Sequence, residues 1–347
     1  MTPQLTWRWG PLSLRLHGRT LLIGVILTGL TLGVLAATLL TPGAGITARQ
    51  AGETLLGAGE GIARTVVLDW RLPRALAALV VGAALALSGA LFQAVTRNPL
   101  GSPDIIGFNT GAYTGVILVV TSGYVGFFEV SLGAFLGGLL TAALVLAFTA
   151  RHHISGLRLI LVGIGVAYLL SSLNRWLILR GDMEQALSAA TWGAGTLNGV
   201  QWIQILPAGA VLLLLSAVAV SMRRHVDLLR LGDDTAGGLG LTPQRAKAGL
   251  VLLGAVLTAV STALAGPVSF VALAAPHIAA RLSHSPRCPL LLTAVTGALL
   301  LLFSDLLAQR LFAPVQLPVG LVTVVVGGIY LLWLISRPTL LRQGPTT

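Results

Sequence analysis

Long, almost charge-free apolar runs restrict what this chain can become more than any other feature. They cover residues 20–41, 75–96, 105–128, 130–150, 159–174, 202–222, 248–265, 267–280, 290–309 and 319–336. A helix needs roughly 20 apolar residues to cross a hydrocarbon core about 30 Å thick, and only a backbone that satisfies its own hydrogen bonds is tolerated there. The pattern predicts an all-α integral membrane protein of about ten transmembrane helices, with 267–280 as a short span. Residues 21–40 are longer than the apolar part of a signal peptide and lack a clear cleavage site, so they read as a retained first span.

Charges mark the ends of these spans, because Arg or Asp at the centre of a membrane helix costs about 2.5–3.5 kcal/mol on an insertion scale. Arg175, Arg180 and Arg281 are therefore expected at interfaces. An even number of spans puts both termini on one side. That side collects Arg8, Arg15, Arg19, Arg97, Arg223, Arg224, Arg230, Arg245 and Lys247, and the excess of positive charge makes it the cytoplasmic one. Only 10% of the residues are charged, against roughly 25% in soluble domains. The formal charge of +11 is scattered between apolar runs rather than gathered into a basic arm with aromatics, which excludes nucleic acid as a partner. Glycines at packing intervals, Gly133, Gly137 and Gly138 or Gly163 and Gly165, are expected to let helices approach closely. The longest polar excursions, 42–74, 180–201 and 222–247, are too short to bury a core of their own, so residues 1–347 read as one transmembrane domain.

Several chemistries are absent. The one lysine, Lys247, sits in Gln-Arg-Ala-Lys-Ala and not in a glycine-rich phosphate loop, so an ATP-driven step would need another polypeptide. A lone Cys288 excludes an internal disulfide. The histidines, among them His152, His153, His277 and His284, lack the i, i+4 spacing of a metal site, and no nucleophile with a base is discernible; the sequence implies no metal, no cofactor and no enzyme. His277, after Pro276, is expected at a helix end. Asp305 is the one carboxylate inside an expected span, with Arg310 or a backbone group as its expected partner. An ion-coupled carrier acting without an ATPase is the alternative to a pore served by a separate motor, and the lack of an intramembrane carboxylate network speaks against it.

Residues 222–247, MRRHVDLLRLGDDTAGGLGLTPQRAK, form the largest loop on the cytoplasmic side. Asp233 or Asp234 can cap a short helix that Gly237, Gly238 and Gly240 stop, and a helix so brief and glycine-rich needs a surface to pack on. With its Leu-Gly-Asp-Asp-Thr-Ala and Leu-Gly-Leu it resembles the coupling loop of the permease subunits of bacterial iron-siderophore and cobalamin ABC importers. Residues 71–112, 266–282 and 317–335 resemble the same family. The Asn-Pro-Leu-Gly-Ser-Pro-Asp stretch, Gly-Thr-Leu-Asn-Gly at 195–199 and the doubled aspartate are most similar to ferric-enterobactin permeases.

The resemblance implies a multi-pass bacterial inner-membrane pore that imports a ferric siderophore of catecholate type. Implied partners are cytoplasmic ATPase subunits, a periplasmic siderophore-binding protein and a sister permease, as a heterodimer or else a homodimer. It implies ATPase coupling through Gly232, Asp233, Asp234, Thr235, Ala236, Leu239 and Gly240. Arg71, Arg74 and Arg310 match positions where the family offers positive charge to acidic residues of the binding protein; the alternative is that they anchor helix ends at headgroups. Asn98 and Leu100 fall where related permeases narrow the pathway, or else form a plain Asn-Pro turn. Ser155, Gly156 and Leu157 match cobalamin permeases poorly at a second gate position.

Overall fold

A computed structural model describes residues 4–9, 12–150, 154–284 and 289–336, with backbone alone for 4–17 and 333–335. His152, His153 and Cys288 lie outside these segments. An antiparallel hairpin, β1 (Gln4–Trp9) and β2 (Leu12–His17), leads into α1 (Gly18–Leu40). Two short helices follow, α2 (Ala48–Leu55), started by a Thr47–Gln50 capping box, and α3 (Gly61–Arg64). A π-helical stretch, Thr65–Arg71, joins α3 to α4 (Leu72–Thr96) in one unbroken rod.

Beyond a buried turn come α5 (Phe108–Thr121), α6 (Phe127–Ala150), α7 (Gly156–Arg180), α8 (Met183–Gly193) and α9 (Trp202–Ser221). The polar loop holds α10 (Arg223–Arg230) and α11 (Asp233–Gly238); then α12 (Pro243–Ala265), α13 (Val271–Ser283), α14 (Leu290–Arg310) and α15 (Val319–Ile335) complete the chain. Every expected span holds a helix.

Seven helical segments among the described residues are long and apolar enough to cross a bilayer. The other three depart from expectation. The run at 105–128 is helical only over Phe108–Thr121, and that at 267–280 is displaced to Val271–Ser283. At about 1.5 Å per residue α5 and α13 reach roughly 20 Å, short of the apolar core. The α15 helix is shorter than the seven as well. Irregular backbone precedes both α5 and α13, and it is tolerable at depth only where protein covers it. Ser102 and Ile106 before α5, and Val268 before α13, are buried accordingly.

The rod containing α4 is the centre of the molecule: 78% of its apolar window is buried, against 11% for α1 and for α7, whose apolar faces look outward. Water does not drive helices together inside lipid, so close van der Waals contact has to. A Cβ on Gly82 would lie 2.4 Å from the carbonyl oxygen of Gly297 in α14, and one on Gly89 1.7 Å from that of Ala272 in α13. Gly133 and Gly137 pack in the same way against Gly115 and Gly111, and Gly163 against Ile106; Gly165 faces open space and Gly138 makes only ordinary contacts. Polar side chains reinforce the joints, as where Ser88 donates to the carbonyl of Gly254 at 2.7 Å.

Candidate functional site

One end of the bundle is lined with arginine. The π-helical stretch delivers Arg71 beside the C-terminus of α1, where the last carbonyls lack intrahelical donors. Its guanidinium donates to the carbonyls of Leu39 at 2.9 Å, Thr41 at 2.7 Å and Gly43 at 3.1 Å. Arg310, at the end of α14, donates to the carbonyl of Pro42 at 3.0 Å and stays exposed. Both cations thus sit where the negative end of a helix dipole favours them. With Arg74 they border one cavity of about 350 Å³, shared with Asp69, Asn198 and Gln316.

Arg74 is different. It is buried, and its Nε and Nη2 form a fork on the carboxylate of Asp305 at 2.9–3.1 Å, while Nη1 donates to Gln316 at 2.7 Å. Gln309 donates to the same carboxylate at 2.8 Å. The expected partner of Asp305 was Arg310 or a backbone group; the structure corrects it to Arg74, because α4 and α14 pack side by side and bring residues 231 apart in sequence together. Burial also removes Arg74 from the set of arginines presented at the surface, leaving Arg71 and Arg310 at the rim.

At the other end of the bundle, α4 stops at Arg97, which takes a left-handed conformation with φ of 48°. Asn98 closes the turn by accepting the Leu100 N–H at 2.9 Å, and Leu100 is half-exposed. His277 contacts the Pro99 carbonyl at 2.7 Å from the middle of α13, so it tethers this turn instead of packing at a helix end. Gly156, beside the Ser155 cap of α7, abuts the last turn of α4: a Cβ there would stand 2.3 Å from the Thr96 carbonyl oxygen. Leu157 is exposed.

The polar loop folds back onto this turn. Val226 and Leu229 of α10 are buried against the bundle. Gly232, with φ of 113°, is the N-cap of α11, so neither aspartate caps the helix as the sequence suggested. Asp233 instead accepts from Arg97 and from the buried Lys247 Nζ, the latter at 2.5 Å. Lys247 also donates to the Ile154 carbonyl at 2.9 Å, and Gln244 accepts from Ile154 N–H at 2.7 Å. One carboxylate thus joins α11, the end of α4, α12 and the entry to α7. Ala236 is buried beneath α11, whereas Asp234, Thr235, Leu239 and Gly240 face outward.

A third polar node lies inside the bundle. Asp104 accepts from Asn109 at 2.8 Å and from the N–H of Phe270 at 3.3 Å, and Thr262 donates to the Asn109 carbonyl oxygen at 3.0 Å. Phe270 has a φ of 69°, a left-handed conformation costly for a bulky residue, and the Asp104 bond holds it where α13 begins. Arg97, Lys247 and Asp104 were not singled out from the sequence as a site. The signal available was a single lysine placed 14 residues after Asp233. Among the described residues no cluster of His, Cys, Asp and Glu is arranged to hold a metal ion.

A polytopic helical bundle that lacks a phosphate loop and carries a packed polar loop at one end fits a pore worked by a separate motor. The chain belongs to the FecCD transport family, whose model matches residues 22–337. It is 47% identical over 288 residues to the ferric enterobactin transport system permease protein FepG of Escherichia coli (strain K12), covering 83% of this chain and 87% of that one. It is 36% identical over 283 residues to the hemin transport system permease protein HmuU of Yersinia pestis, covering 80% and 85%. Among solved structures, an inward-facing metal-chelate type ABC transporter superposes with a TM-score of 0.80 at 29% identity, over 90% of this chain and 98% of the other. The chain is therefore the multi-pass inner-membrane permease subunit of an ABC importer for iron siderophores or related metal chelates, and it is not an enzyme. An ATPase, a substrate-binding protein and a partner permease go with that class, and the ion-coupled alternative falls away.

Proposed function

We propose that this permease imports a ferric siderophore of the catecholate, enterobactin-like type from periplasm to cytoplasm. The 47% identity to FepG over most of both chains carries the substrate assignment, against 36% to the hemin permease HmuU. In this reading ten spans, including the short α5, α13 and α15, leave both termini in the cytoplasm, as the excess of basic residues on that side supports. The end bearing Arg71 and Arg310 then faces the periplasm and offers cations to acidic residues of the binding protein. The exposed Asp234, Thr235, Leu239 and Gly240, with Gly232, Asp233 and Ala236 behind them, form the ATPase contact within 222–247. Asn98 and Leu100 form the gate, and the permease partner is a related sister chain.

The test is radioactive-iron uptake by a strain lacking this chain, with catecholate, hydroxamate and citrate complexes supplied separately. Loss of catecholate uptake alone, restored by the gene, is the expected result. Unimpaired catecholate uptake with loss of another complex would overturn the assignment.

A further inference from the structure

The permease reading leaves one polar cavity without a task. It lies between the first turns of α5, the outer half of α7 and the end of α8, and measures about 510 Å³. Asn109, Tyr113, Ser171, Asn174, Arg175 and Pro267 are among the residues that line it. An arginine on a membrane helix is costly and normally finds a carboxylate or a set of carbonyls. Arg175, exposed and five residues short of the end of α7, lines this cavity and makes no hydrogen bond or ion pair among the described residues. Its neighbour Arg180 is engaged, stacked at 4.6 Å on the ring of Trp176.

Beside it, Asn174 is buried, 4% exposed, and half-satisfied. Its Nδ2 donates to the Thr110 carbonyl at 3.3 Å, which leaves Oδ1 buried without a partner. The bond from Nδ2 ties this side chain to the first turn of α5 and fixes the wall on which Arg175 stands. The opposite wall is the N-terminal turn of α5, the positive end of that helix dipole. Tyr113 stacks on Trp192, with centroids 6.1 Å apart and planes 5° from parallel, and presents an aromatic surface to the cavity.

We propose that this cavity is an anion subsite of the permease, in which Arg175 receives the charged oxygens of an iron chelate. A free guanidinium suits paired anionic oxygens, because its planar fork donates to two at once. The aromatic wall accepts a planar ring. Catecholate and citrate complexes both carry such oxygens; an uncharged hydroxamate complex does not offer the charge. The proposal rests on the permease reading and adds to it a residue that recognises charge.

The full importer, with its ATPase, binding protein and partner permease, is reconstituted in liposomes, and iron uptake per ATP hydrolysed is measured for ferric catecholate, citrate and hydroxamate complexes. For whichever anionic complex the unaltered importer moves, Arg175→Ala is expected to lower uptake about tenfold and Arg175→Glu further, since hydrogen bonds to charged groups are the stronger class. Arg175→Lys is expected to retain more than Arg175→Ala. Uptake of the anionic complex at the unaltered rate by both Arg175→Ala and Arg175→Glu overturns the subsite and leaves the permease reading standing. An unaltered importer that moves no iron complex overturns both.

A second measurement does not depend on transport. In a Cys288→Ser background, Ser171→Cys is expected to react about tenfold faster with an anionic than with a cationic thiol reagent, a preference of the size that a local charge of this kind produces. The preference should vanish on adding Arg175→Ala. Equal reaction of both reagents with Arg175 present overturns the proposal.

Discussion

Inside the bundle the Arg74 guanidinium forms a fork on the Asp305 carboxylate, and both side chains are buried. Two charges removed from water cost more than they return unless both are fully hydrogen-bonded, and here Gln309 and Gln316 complete the set. Removing one partner strands the other in the interior. Asp305→Ala or Arg74→Ala should therefore destabilise the protein by about 3–5 kcal/mol, whereas the double replacement Arg74→Met with Asp305→Leu should recover most of that loss. Thermal unfolding in detergent measures both. A single variant as stable as the parent would show that the pair contributes nothing. The sequence signalled that Asp305 needs a partner, because a carboxylate in an apolar run always does. It could not say which arginine, since Arg310 is close along the helix and Arg74 only in space.

At the scale of elements, the closest contacts are between backbones, and small residues make them possible. Gly89 of α4 faces the carbonyl of Ala272, and Gly82 faces Gly297. Gly89→Val should force α13 away from α4 and destabilise by at least about 1–3 kcal/mol, the usual cost of overfilling a packed joint. Gly29→Val, on the open side of α1 with nothing within 4 Å, should be silent. Comparing the melting temperatures and protease resistance of the two variants separates a packing effect from a mere change of propensity. Equal behaviour would contradict the assigned joint. Periodic glycines were visible beforehand, but Gly133, Gly137 and Gly163 turned out to face backbone and Gly165 open space. Which face of a helix is covered depends on the neighbour, and an all-round apolar helix in lipid carries no amphipathic pattern to reveal it.

In the function proposed above, energy enters the molecule at the 222–247 loop and must reach a gate at Asn98 and Leu100. Asp233 binds Arg97 next to Asn98 and Leu100 on one side, and Lys247 at the foot of α12 on the other, so motion of α11 is passed to both. Asp233→Asn, which keeps the shape and removes the charge, should lower iron uptake per ATP hydrolysed by about fivefold if the two cations are worth roughly 1 kcal/mol to the coupled state. Parallel measurement of uptake and ATP hydrolysis checks this, and an unchanged ratio would count against the link. The outward Asp234 makes no such bond among the described residues, and Asp234→Arg, placed in the proposed ATPase contact, should weaken co-purification of the ATPase.

That this chain lives in a membrane as a helical bundle, where each apolar run becomes a helix, and that it carries no phosphate loop of its own are legible in its residues. Those properties follow from local composition: hydrocarbon tolerates only self-satisfied apolar helices, and ATP hydrolysis needs a phosphate loop that is absent. The motifs also led to the family. The shortness of α5 and α13, the inward turn of Arg74 to Asp305, the sharing of Asp233 between Arg97 and Lys247 and the place of Arg175 beside a polar cavity come from packing alone. Each depends on residues distant in sequence meeting where helices pack, and an apolar run that says a helix will form is silent about which face of it meets which neighbour.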